Sequence, residues 1–212
     1  MRTEDLIQSL TEDLKPAPSI RRQLLVPAGI GGVIALGLVA GWLGFRPDIM
    51  VAWEVPMFWM KAAYTALIGL AGFACVQLLA RPIGGARREF ILALAVFGLI
   101  FLGGTMQFAM TGASDRMPLL TGGSWHVCSQ NIVILGAPIL GLTLFVMRSL
   151  APTKLMAAGA AAGLFAGGLA ATIYGLHCPE HALTFVAVWY SLGMALLTAA
   201  GALLGPWVLR WR

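Results

Sequence analysis

Six long apolar runs, separated by short charged clusters, constrain this chain more than any other feature. They fall at about 24–45, 57–79, 90–110, 127–147, 155–175 and 182–204. A helix needs roughly 20 apolar residues to cross about 30 Å of hydrocarbon. Each run meets that length, and no run has the strict alternation of a strand. Only 11% of the residues are charged, where soluble domains carry about one quarter. The expected fold is therefore all-α: a six-span transmembrane helical bundle. The first apolar run is too long for a signal-peptide core of about 7–15 residues, so no cleaved leader is expected.

The basic residues orient the bundle. With the N-terminus inside, the inner side holds Arg2, Lys15, Arg21, Arg22, Arg81, Arg87, Arg88, Arg148, Lys154, Arg210 and Arg212. The outer side holds Arg46, Arg116 and Lys61, the last one turn into the second run and able to snorkel outward. Eleven against three places both termini in the cytoplasm. The net charge of +5 thus reads as punctuation between spans, and no direct nucleic-acid contact is expected. Trp42, Trp53, Trp59 and Trp125 fall at the outer interface and Trp207 and Trp211 at the inner one, as aromatic belts do.

Residues 1–23 form a polar arm ahead of the membrane domain, residues 24–212. Thr3 can cap a helix with Glu4 and Asp5 in its first turn. Leu6, Ile7, Leu10 and Leu14 then follow at helical spacing, and Pro16 and Pro18 stop the helix. The opposite face is acidic, unlike that of helices that lie on membranes. It reads as a short cytoplasmic amphipathic helix that docks into a partner's groove, with a helix lying on the membrane surface as the alternative.

Chemistry concentrates at the outer edge. Cys128 opens the fourth run beside His126, and Cys178 follows the fifth with His177 and His181. Two thiols there can form a disulfide, bind a soft metal or react singly with an oxidant. The imidazoles can take a thiol proton or join as ligands, so Cys128, Cys178, His126, His177 and His181 are a candidate set for a regulatory metal ion; no resident cofactor is expected. Cys75 reads as a core residue. Gly159, Gly163, Gly167, Ala171 and Gly175 recur every fourth residue, a ridge on which another helix can close. Gly37/Gly41 and Gly201/Gly205 are shorter versions of it.

Several short pieces, in order, resemble the NrsF-type integral-membrane anti-sigma factors of proteobacteria. They are Thr3-Glu4-Asp5-Leu6-Ile7 and Asp13-Leu14-Lys15-Pro16 in the arm, then Phe45-Arg46-Asp48 and Pro56-Phe58-Lys61 round the first outer loop. Cys128 with Asn131, and Tyr174-Cys178-Glu180 followed by Phe185, Trp189 and Tyr190, complete the set. The resemblance implies a six-span inner-membrane protein that holds an extracytoplasmic-function sigma factor inactive. It implies that the arm, through Leu6, Ile7, Leu10 and Leu14, is the sigma-binding element. It also implies that Cys128 and Cys178 are the sensor pair for heavy-metal or oxidant stress.

Two rival classes stay open at the level of residues. A quinone-linked thiol–disulfide oxidoreductase would use the two outer cysteines but lacks a CxxC motif. A metal transporter would use the soft ligands but lacks an acidic residue deep in any span. No HExxH, Walker or GxSxG motif is present, so no enzyme follows from motifs.

Overall fold

The computed structural model of the chain describes residues 19–210 together with Thr3. The arm residues Leu6, Ile7, Leu10 and Leu14 lie outside the described residues. Among the described residues every regular element is helical, and six helical segments are long and apolar enough to span a membrane. They run Ile20–Leu43, Pro56–Leu79, Arg87–Met110, Arg116–Leu150, Leu155–Tyr174 and Leu183–Val208. The first begins four residues before the expected boundary, because the Ser19 hydroxyl accepts the Arg22 N–H at 3.4 Å and caps it early. Pro56 opens the second span, where its missing N–H costs nothing.

The fifth span is the axis of the bundle. Within its central window 67% of residues are buried, against 11% for the third span, which lies at the periphery. The small-residue ridge explains the position. Gly159 lies against Gly201 and Gly205, Gly163 against Leu197 and Thr198, and Gly167 against Met194, all on the sixth span. A Cβ at Gly159 or Gly163 would overlap backbone carbonyl oxygens of the sixth span. On the other face Gly168 meets Gly69 of the second span, and Thr172 donates a hydrogen bond to Thr65 at 2.9 Å. Small residues let backbones approach, and dispersion between them replaces the hydrophobic drive that lipid removes.

Gly37 and Gly41 do not repeat the pattern. Nothing lies within 4 Å of the position a Cβ would take at either. They face outward from the bundle, so their spacing is no packing ridge.

Two helices carry π turns at the same end of the bundle. One, Val39–Leu43, ends the first span; the other, Val186–Tyr190, lies near the start of the sixth. Single π turns inside α-helices shift the register of the residues beyond them and cluster at functional sites. Both flank the two cysteines.

Candidate functional site

Beyond Tyr174 the fifth span unwinds through tight turns. The amides of His177 and Cys178 both return to the Tyr174 carbonyl, at 2.9 and 3.1 Å. This folds Cys178 back over the bundle, where its side chain is fully buried. Cys128 is buried one turn into its helix, with its amide on the Ser124 carbonyl at 3.0 Å. The two thiols are close neighbours that act on each other, and neither is in a disulfide. The spacing of fifty residues in the sequence thus becomes a side-chain contact.

The surroundings of the pair are polar and almost closed to water. Tyr174 and Tyr190 are both fully buried and stack at 5.7 Å between ring centroids. The Tyr190 hydroxyl faces Cys178, and the Tyr174 hydroxyl faces Cys128 and Asn131, one turn after that cysteine. Neither phenol closes a hydrogen bond of ordinary length. The π turn of the sixth span delivers Tyr190, and hydrogen bonds fasten it. Ser191 pairs with Tyr64 at 2.6 Å, and the Ser129 hydroxyl donates to the Trp189 carbonyl at 2.8 Å.

Lys61 holds the cysteine loop down. It is buried, 2% exposed, instead of reaching outward past its helix end. Its ammonium donates to the Cys178 carbonyl at 2.8 Å and the Glu180 carbonyl at 3.2 Å. It also sits 5.5 Å from the Tyr190 ring centroid. The sequence showed a lysine one turn inside an apolar run; what it could not show is that a loop 117 residues later supplies the carbonyls. The Cys128 thiol's hydrogen bond, and then the Lys61 charge, outweigh burial and hold the Cys178 thiol below its ordinary pKa.

Glu180 and Arg46 complete the clasp. The Glu180 carboxylate accepts from the Gly123 amide at 2.7 Å and from the Ser124 hydroxyl at 3.2 Å. This ties the loop to the turn that opens the Cys128 helix. Gly122 there has φ of +53°, and a Cβ on it would strike the Glu180 carboxylate. Arg46, in the loop after the first span, is wholly buried. Its amide donates to the Leu176 carbonyl at 3.1 Å, and its guanidinium forks onto Asp48 at 2.7 and 2.6 Å. That fork holds the Asp48 carboxyl down at about 2.

The three histidines do not converge on the sulfurs. His126 is exposed, and its ring meets Trp125 edge-on. Two residues apart on a helix, His126 and Cys128 point to opposite sides. His177 donates from Nδ1 to the Gly44 carbonyl at 2.8 Å, which fastens the loop to the end of the first π turn. His181 Nε2 accepts from Arg46 at 3.1 Å, so its remaining proton sits on Nδ1. Among the described residues no three His, Cys, Asp or Glu side chains group closely enough to hold a metal ion. The five-residue ligand set is not assembled. What remains is a two-thiol site, which suits a two-coordinate thiophilic ion or an oxidant. Cys75 is buried in the core, as expected.

Comparison with known proteins matches this arrangement to one family. The family described as "Negative regulator of sigma F", NrsF, matches residues 10–211. A protein of Caulobacter vibrioides named "Anti-sigma-F factor NrsF" is 50% identical over 217 aligned residues, covering all of both chains. One of Azospira oryzae named "Probable anti-sigma-F factor NrsF" is 35% identical over 215, again covering both chains fully. No solved structure matches the chain.

Proposed function

The chain belongs to the NrsF family of negative regulators of sigma F, a regulatory and not an enzymatic family, and from that premise we propose how it works. It is an anti-sigma factor embedded in the bacterial inner membrane, with both termini in the cytoplasm. Its N-terminal arm holds an extracytoplasmic-function sigma factor through Leu6, Ile7, Leu10 and Leu14. Oxidation of the Cys128–Cys178 pair, or its capture of a thiophilic heavy-metal ion, releases the sigma factor under stress.

The observation that carries the sensing half is the buried thiol pair itself. Its thiols are close neighbours, Lys61 lies beneath the loop, and Tyr174 and Tyr190 face it with incompletely bonded hydroxyls. A purely structural cysteine pair needs none of this. The excess of basic residues at the opposite end supports the orientation. The arm's apolar face supports the docking half: a helix this short is marginal alone in water and gains its order on a partner.

The test is capture of the sigma factor encoded in the same cell by the full-length protein and by the chain lacking residues 1–16. The intact chain retains it and the truncated chain does not. Retention by both would end the arm's role. Cys128→Ser with Cys178→Ser should retain sigma yet fail to release it under metal or oxidant; normal release would end the sensor assignment.

A further inference from the structure

A second site lies at the other end of the bundle, on the side that faces lipid. The first and second spans stand apart over the fifth and leave a groove of about 620 Å³, the size of a small-molecule site. Leu25 and Leu70 form its walls, and Phe165 and Leu169 its floor. Along the second span it extends from Ala66 to Gln77, about 16 Å at the helical rise. That is about half of the ~30 Å hydrocarbon thickness, the depth of one leaflet. Arg21 stands at its mouth.

A second hollow of about 640 Å³ adjoins that mouth. Ile20 and Leu78 line it, the chain neighbours of Arg21 and Gln77, and Arg81 stands on its rim. Arg21 and Arg81 are both exposed, and among the described residues the only salt bridge is between Arg46 and Asp48. An apolar trough of leaflet depth thus opens under a basin with two arginines that no carboxylate among the described residues neutralises.

We propose that the groove and its basin bind one anionic glycerophospholipid, its phosphate on Arg21 and Arg81 and one acyl chain between the first and second spans. Basic pockets between spans at the cytoplasmic face select such headgroups. An extended peptide would bring backbone N–H groups into hydrocarbon with nothing to accept them, and an acyl chain has none. The first span begins at Ile20, next to Arg21, so the bound headgroup lies beside the point where the chain enters the bundle. The proposal does not depend on what the arm holds.

Native mass spectrometry of the full-length protein, exchanged into phosphatidylglycerol or phosphatidylcholine of identical acyl chains, tests it. One phosphatidylglycerol per chain is retained, about tenfold over phosphatidylcholine. Arg21→Gln with Arg81→Gln lowers that ratio to about one, whereas Arg148→Gln, also exposed at this end, leaves it unchanged. Ala66→Trp, which fills the trough, loses both lipids; if that variant does not fold, the arginine pair decides alone. Excess glycerol phosphate does not displace the bound lipid. Equal retention of the two lipids, or full retention by the double variant, would overturn the proposal. So would displacement by glycerol phosphate, or a tenfold gain in lipid on deleting residues 1–16, which would assign the groove to the arm.

Discussion

Replacing Lys61 with methionine should open the cysteine loop while leaving the bundle standing. The Lys61 ammonium makes two hydrogen bonds to loop carbonyls, at 2.8 Å to Cys178 and 3.2 Å to Glu180. A hydrogen bond with a charged partner contributes about 1.5–3 kcal/mol, and a carbonyl stranded without a donor costs about 1–3 kcal/mol. The Glu180 carbonyl is only part-buried, and water can serve it once the lysine is gone. Counting the buried Cys178 bond fully and the second lightly gives about 3 kcal/mol of lost loop docking. That is about a hundredfold rise in the open fraction. Met keeps all but the last heavy atom of the side chain and removes the cost of burying an ammonium, so global stability should change by less. The assay is alkylation of Cys178 by a maleimide in the Cys128→Ser background, resolved by peptide mass spectrometry so that Cys75 is counted separately. The modification rate should rise about a hundredfold with only a small shift in the thermal melt. A rate within threefold of the parent would refute the claim that Lys61 is the latch.

Two further outcomes follow from the same geometry. Gly163→Val places a branched side chain against the Leu197 carbonyl and Thr198 backbone; it should cost about 1–3 kcal/mol or more in the thermal melt, while Gly37→Ala, with nothing within 4 Å, should stay within about 0.5 kcal/mol. Asp48 is held down at about 2 by Arg46, so its contribution to the folded loop is full above its unfolded value of about 3.9 and fades as pH falls towards 2; hydrogen exchange of residues 46–52, corrected for intrinsic rate, should stay flat from pH 7 to 4 and quicken below it, and Asp48→Asn should be fast throughout.

The bundle was legible because bilayer thickness fixes span length and so each span is written as a run of apolar residues. The ridge of the fifth span was equally legible, since closeness of backbones requires Gly at a helical repeat. Gly37 and Gly41 share that spacing and pack against nothing, so spacing alone does not say whether a partner is present. The cysteine pair could be placed at one edge, but contact between Cys128 and Cys178 depends on how the chain turns after Tyr174, which sequence does not encode locally. Asn131, three residues after Cys128, could be assigned to its face. His126 could be excluded from it by the same helical angle, and the expectation of a five-ligand set overlooked that. Tyr190 could not be assigned, because a π turn re-aims it. The burial of Arg46 and Lys61 was missed for one reason: a charge in a membrane protein is read as seeking water, and here a distant loop supplies two carbonyls to Lys61 and the His181 ring to Arg46, which keeps its neighbour Asp48 as carboxylate partner.

The two proposed triggers act on this site in opposite geometric senses. A disulfide would draw the sulfurs to about 2.05 Å. A linear thiolate–metal–thiolate bridge, with bonds of about 2.3 Å each, would hold them about 4.6 Å apart. If displacement of the sulfurs were the signal, metal and oxidant would drive the bundle in different directions. Their shared effect is chemical. Two electrons leave to the oxidant in one case, and a divalent ion arrives in the other; in both, the thiol protons depart and the sulfurs end with no net charge. The interaction of the Cys128 thiol with Cys178 disappears, and Lys61 loses the negative character at Cys178 that it faces. A buried ammonium without a counter-charge is costly, and the least costly escape is to leave the loop carbonyls for water. The state selected by either trigger is then the one in which Lys61 lets go. Since the loop follows the fifth span directly, and Gly159, Gly163 and Gly167 fix that span to the sixth, the two spans move as one body. On this argument Lys61→Met should release sigma without any stimulus, and a Lys61→Met protein that still holds sigma in unstressed cells would show that the signal is geometric after all.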